Sequence, residues 1–251
     1  MKSLAFLLFL VTSANGLALS ERELDSIARR VWQNECAGTR DGLTSWNAGE
    51  NFASLGIGHF IWYPRGVSGP FEESFPKMLR FLATQGAKPP SWLEGDCPWV
   101  SRAEFQAALH GEKMMALRVL LSGTVQLQAQ FLAQRMEEAL PKMLAALPAK
   151  ERTRVRAQFQ RLAGSAAGTF ALIDYVNFKG EGTKESERYC GEGWGLLQVL
   201  AGMHGSGAGA AREFGESAKV VLTRRVRNAP PERHEERWLA GWKARVRAYG
   251  D

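Results

Sequence analysis

An amphipathic helix whose apolar stripe ends on a carboxylate constrains this chain more than any other feature. Ser20 stands three residues ahead of Glu23, the spacing of a capping box, and Leu24, Ile27, Ala28, Val31 and Trp32 follow at helical intervals. The pattern predicts a helix over 20–35 with one buried face. Glu35 lies four residues after Val31 and eleven after Leu24, which puts it on that face at the end of the helix. Burial favours the neutral form of a carboxyl group, and the partial negative charge of a helix C-terminus acts in the same direction. The expectation is an acid kept protonated near neutral pH, the state that general acid catalysis requires.

The stretch from Thr39 to Tyr63 reads as β structure. Asp41-Gly42 is a turn, Leu43 to Trp46 a short strand, Asn47 to Asn51 a connection, and Phe52 to Tyr63 a longer strand. Gly56 and Gly58 alternate on one face of that strand, where glycine marks a bulge or the close approach of another chain, either substrate or a neighbouring helix. Pro64 to Pro70 is a loop, a helix spans about Phe75 to Thr84, and three prolines punctuate Lys88 to Trp99.

Helices dominate the rest. Ser101 and Glu104 form a second capping box, Gln126 to Arg161 is helical with breaks at Pro141 and Pro148, and an apolar helix runs from Ser165 to Phe178. A polar loop from Lys179 to Gly193 follows. Trp238, Trp242 and Val246, spaced by four, predict a packed terminal helix with a solvated basic face. The fold class is α+β, predominantly α-helical, with one small β-hairpin lobe at about 36–64 in a single domain over 17–251.

Residues 1–16 read as a secretory signal peptide, with Lys2, an apolar run from Leu4 to Val11, and small residues at Ser13, Ala14 and Gly16. Cleavage after Ala18 fits equally well. A spanning helix needs about 20 apolar residues, so no stable membrane insertion is expected, and the location is the periplasm or the medium. Three cysteines, Cys36, Cys97 and Cys190, allow at most one disulfide. Cys97 with Cys190 would leave Cys36 free beside Glu35, where it reads as a small buried residue rather than a nucleophile. The four histidines fall in no zinc-ligand spacing, so neither metal nor cofactor is expected. The net charge of +6, concentrated in the last third, suits an anionic partner. No nucleic-acid motif accompanies it.

A helix ending in Glu35, a short hairpin, and a strand bearing Ser54-Leu55-Gly56-Ile57-Gly58-His59, followed by helices, resembles the phage-type branch of the lysozyme-like fold. Phe170 to Tyr175 is similar to that family's buried C-terminal helix, and Leu222-Thr223-Arg224-Arg225 to its late Leu-x-x-Arg-Arg helix. The resemblance implies a glycosidase acting on peptidoglycan or a related amino-sugar polymer, with Glu35 as general acid and Ser54 holding the reactive water.

The family's second carboxylate falls on Ala48 here, and the spacing from Glu35 to Ser54 is a few residues longer. Glu50 is the candidate for the missing role and Asp41 the second. If neither serves, the substrate's own hydroxyl or acetamido group takes it, as in lytic transglycosylases. Candidate substrate contacts are Gly56, Gly58 and His59, with Trp46, Trp62, Tyr63 and Trp194 as rings on which sugars stack. His59 also reads as a structural hydrogen-bonder at the strand base. The alternatives are a non-catalytic cell-wall-binding protein on the same fold and an envelope scaffold whose basic C-terminal helix docks on a membrane or protein.

Overall fold

In a computed structural model covering residues 19–69 and 71–250, Ser20 caps helix α1 (Glu21–Cys36) as its sequence requires. Its Oγ accepts from the Glu23 N–H, and the Glu23 carboxylate accepts from the Ser20 N–H at 2.9 Å. The signal-peptide expectation over 1–16 lies outside the described residues. Leu24, Ile27, Ala28 and Val31 are buried, and α1 runs one residue beyond Glu35 before Ala37 ends it in the left-handed conformation. Glu35 therefore stands in the last turn of the helix.

The β lobe is a three-stranded antiparallel sheet in the order β1 (Thr44–Ser45), β2 (Ala53–Leu55), β3 (Phe60–Trp62). The single long strand expected over Phe52 to Tyr63 is in fact this β2–β3 hairpin, with Leu55 opposite Phe60. Gly56 makes the turn. Its φ of +72° suits glycine, and a Cβ there would collide with the Gln128 side chain and crowd the Phe60 ring. The fully buried Gln128 amide accepts from the Ile57 N–H at 2.9 Å and donates to the Leu121 carbonyl at 2.7 Å and Thr124 Oγ1 at 3.0 Å. The close approach read from the glycines is thus by a helix side chain.

Helices α2 (Phe75–Thr84), α3 (Arg102–Ala107), α4 (Glu112–Gly123) and α5 (Val125–Ala145) follow. Pro141, expected as a break, lies inside α5, because the buried Ala139, Leu140, Met143 and Leu144 around it hold the helix through the missing hydrogen bond. Pro148 does mark a boundary, capping α6 (Ala149–Ala163).

Ser165 caps α7 (Ala166–Lys179), and every residue from Gly168 to Tyr175 is buried. This helix packs on α1, α5, α6 and α9 (Ala210–Asn228), which makes it the hub of the helical lobe. The segment after it, a polar loop by sequence, contains a second hairpin, β4 (Arg188–Tyr189) with β5 (Glu192–Gly193). Helices α8 (Leu196–Ala201) and α10 (Glu236–Arg247) complete the set. On α10, Val246 is buried as expected, whereas Trp238 is 43% exposed. All three cysteines are free, Cys36 and Cys97 buried and Cys190 exposed, so the structure contains neither the Cys97–Cys190 bridge nor another.

The architecture is predominantly helical with a small antiparallel sheet. Replacing Gln128 with Met should lower stability by about 2 kcal/mol or more, because the Ile57 N–H loses its buried acceptor and two helix-end oxygens lose a donor. Urea denaturation compared with wild type measures it.

Candidate functional site

Asp174, in the middle of α7, has a side chain with no solvent exposure, and a carboxylate so placed must be paired. Arg245 of α10 grips it with two bonds, Nε to Oδ2 and Nη2 to Oδ1, both 2.8 Å. The Tyr249 hydroxyl donates to Oδ2 at 2.6 Å and Asn34 Nδ2 to Oδ1 at 3.2 Å. The same Nη2 of Arg245 also bonds Glu35 Oε1. Burial opposes the Arg245 cation, but Asp174 and then Glu35 outweigh it and hold its pKa above the ordinary arginine value. Burial and then Asp174 likewise push the Tyr249 hydroxyl well up, so it remains a donor.

Glu35 is largely buried, 13% exposed, as its helical position predicts. It is not the isolated acid that the sequence suggested. Oε1 meets the guanidinium of Arg245, while Oε2 lies 3.6 Å from Nδ1 of His59. His59 reaches it from the tip of the β2–β3 hairpin, where its φ of +46° is uncommon for a residue with a side chain. The hairpin is seated on the end of α1 through Cys36, whose Sγ lies 3.5 Å from the Gly56 carbonyl. Burial and then neighbouring Glu35 push the Cys36 thiol up to about 12, the wrong direction for a thiolate nucleophile.

An aromatic and cationic wall extends from Arg245. Its guanidinium lies 4.3 Å from the Phe178 ring centre, and Lys179 Nζ lies 4.0 Å from that ring and 3.4 Å from Trp242. Trp242 stacks on the exposed Trp238 at 6.0 Å. On the inner side, Arg225 covers Trp194 at 4.2 Å and forms a two-pronged ion pair with the buried carboxylate of Glu235. Despite this burial, the Arg225 contacts hold Glu235 below the usual glutamate range. No carboxylate pairs with Lys179 among the described residues. Burial, then repulsion from Arg225, push its amine down to about 6.

The other residues singled out from sequence sit apart from this cluster. Ser54 is buried in the centre of β2, with no hydrogen bond to Glu35. Glu50 closes the β1–β2 turn: its carboxylate accepts from Asn47 at 3.1 Å and its carbonyl from Trp46 Nε1 at 2.9 Å. Asp41 pairs with the buried Arg118 at 2.8 Å. Gly56 and Gly58 pack against Phe60, with Leu132 beside Gly58. Trp46, Trp62, Tyr63 and Trp194 are buried at 4%, 2%, 6% and 7%, so they fill the interior rather than presenting ring faces to a ligand. Beside the cluster, Trp238 is exposed and Trp242 and Phe178 are half-buried; elsewhere Phe71 is exposed too.

Sequence reasoning missed Asn34, Asp174, Arg245 and Tyr249. A charged residue inside the apolar run Phe170 to Tyr175 was the available signal, since a buried charge implies a buried partner. Arg245, counted with the solvated basic face, is that partner. Comparisons with protein-family models, with curated proteins and with solved structures find no match.

Two outcomes are expected. Arg245→Met leaves Asp174 buried without its counter-charge and should cost about 3 kcal/mol in chemical denaturation. Lys179 binds a proton less readily folded than unfolded, so stability should rise with pH between about 6 and the ordinary lysine range near 10. In Lys179→Met that rise should flatten, and stability near pH 7 should increase; urea titrations at pH 6, 7.5 and 9 measure both.

Proposed function

We propose that the protein is a secreted or periplasmic glycosidase of lysozyme type, acting on peptidoglycan or a related amino-sugar polymer with Glu35 as general acid. The observation that carries this reading is the division of labour between the two oxygens of Glu35. Oε1 is fixed by Arg245, itself locked by Asp174, while Oε2 faces His59 at the hairpin tip. A neutral carboxyl group can accept from Arg245 through Oε1 and carry its proton on Oε2. That proton passes to the glycosidic oxygen as the C1–O bond breaks and its electron pair leaves with the departing sugar. The oxocarbenium-like centre is then captured by water or by the sugar's own hydroxyl, whose proton returns to the ionised Glu35, or by its acetamido oxygen ahead of water. Of the rings beside Arg245, the exposed Trp238, backed by Trp242, is the one on which a sugar C–H face would stack.

In a two-carboxylate form of this proposal Glu50 would be the second carboxylate and Ser54 the water-holder. The Asn47 contact draws Glu50 toward its own turn, which gives the single-acid route with substrate assistance the better support. A second reading, a non-catalytic wall-binding protein, draws on the pairing of Glu35 with Arg245 and on Ala48 in place of a carboxylate.

The two readings part on one experiment. The full chain after signal removal and its Glu35→Gln variant are incubated with purified peptidoglycan, then with chitin and chitosan, and soluble products are weighed by mass spectrometry. The proposal expects release by wild type and at least a hundredfold less by the variant, with product mass separating hydrolysis from an anhydro product. Binding without release by folded wild type on every polymer would leave the wall-binding reading instead.

A further inference from the structure

Lys243 and Arg245 are two residues apart on α10, about 200° around the helix, so they face different neighbours. Arg245 turns to α7 and Glu35, while Lys243 turns to a groove formed with α9. The groove holds about 430 Å³, and its lining includes Glu216, Lys219, Val220, Arg224, Arg227 and Lys243. On α9 these residues recur at intervals of three and four, which places them along one face.

The charge there is unbalanced. Glu216 is the one carboxylate lining the groove and is already paired with Lys219 at 2.6 Å. Arg224 is drawn toward β5, its Nη1 3.2 Å from Glu192 and its Nη2 donating to the Gly193 carbonyl at 3.1 Å, yet its buried Nε has no acceptor. Arg227 and the half-buried Lys243 make no hydrogen bond or ion pair among the described residues. The dipole of α9 accounts for Arg227 in its last turn. It does not account for Lys219 in mid-helix, nor for Lys243 arriving from another helix. Collecting cations in a concavity raises their mutual repulsion and is stabilised by an anion bound among them.

We propose that the α9–α10 groove is a binding site for phosphate groups, independent of the chemistry assigned to Glu35. A single guanidinium fork satisfies a planar carboxylate. Guanidinium and ammonium groups converging from two helices suit a tetrahedral group that offers acceptor oxygens in several directions.

Calorimetric titration of the full chain with inorganic tripolyphosphate at low salt, with citrate as the polyanionic carboxylate control, tests this. The expected result is saturable binding that weakens with salt. It should fall about tenfold or more in Arg227→Gln/Lys243→Gln, and citrate should bind about tenfold more weakly than tripolyphosphate. Lys219→Gln provides a second variant should the double one melt abnormally, and Glu35→Gln should bind like wild type. No saturable binding, equal binding of citrate, or affinity untouched in folded variants of both kinds would overturn the proposal. Sedimentation with phosphatidylglycerol but not phosphatidylcholine vesicles, lost in the double variant, would support a lipid headgroup as the source. Tripolyphosphate binding without vesicle retention would support a soluble or polymer-borne phosphate.

Discussion

The carboxylate of Asp174 has no access to water, and the arrangement around Glu35 follows from how that charge is satisfied. Arg245, Tyr249 and Asn34 converge on it from α10, the chain segment after it, and α1. Three separate pieces of chain are thereby fixed on one buried atom group. Such a cluster gives little net stability over an apolar core of similar shape, since desolvation cancels most of the attraction. What it supplies is position: an Arg245 held by two bonds to Asp174 presents its remaining hydrogen-bonding capacity to Glu35 in one direction.

The wall beside this cluster is built on a different balance. Arg225, Lys179 and Arg245 lie within 6 Å of the rings of Trp194, Trp242 and Phe178, so cations and ring faces alternate. Two of the three cations have buried carboxylate partners, Glu235 and Asp174. Lys179 has ring faces and only the attraction of Glu235, which Arg225 already engages, a weaker compensation for lost hydration than an anion of its own would be. The depressed amine follows from that shortfall.

What could be read from the sequence was local. The Ser20 capping box, the helix over Phe75 to Thr84 and the apolar helix beginning near Ser165 each depend on residues within one or two turns, and each is present. The β2–β3 turn was not legible, because Phe52 to Tyr63 is a near-continuous apolar run whose bend is fixed by Gln128, 71 residues from Ile57. Arg245 was hidden for a similar reason. Lys243 and Arg247 on either side of it are basic too, and nothing nearby marks it as different; its partners lie 71 and 210 residues away. For Glu35, position and burial followed from helical spacing, but its ion partner did not. The aromatic expectation failed on burial: ring count and loop proximity pointed to Trp46, Trp62, Tyr63 and Trp194, all buried, whereas the exposed rings are Phe71 and Trp238.

The separation of 210 residues between Glu35 and Arg245 also sets an order of events. Helix α1 carries its own cap and forms from local contacts, so its acid exists early in folding. The guanidinium that orients it comes from a helix synthesised 210 residues later, and closing so long a loop adds conformational entropy to be overcome. A partly folded chain thus holds the acid without its clamp. The geometry around Glu35 is assembled only when the two ends of the described chain meet, also joined by the bond from Arg30 to the Ala248 carbonyl at 2.9 Å.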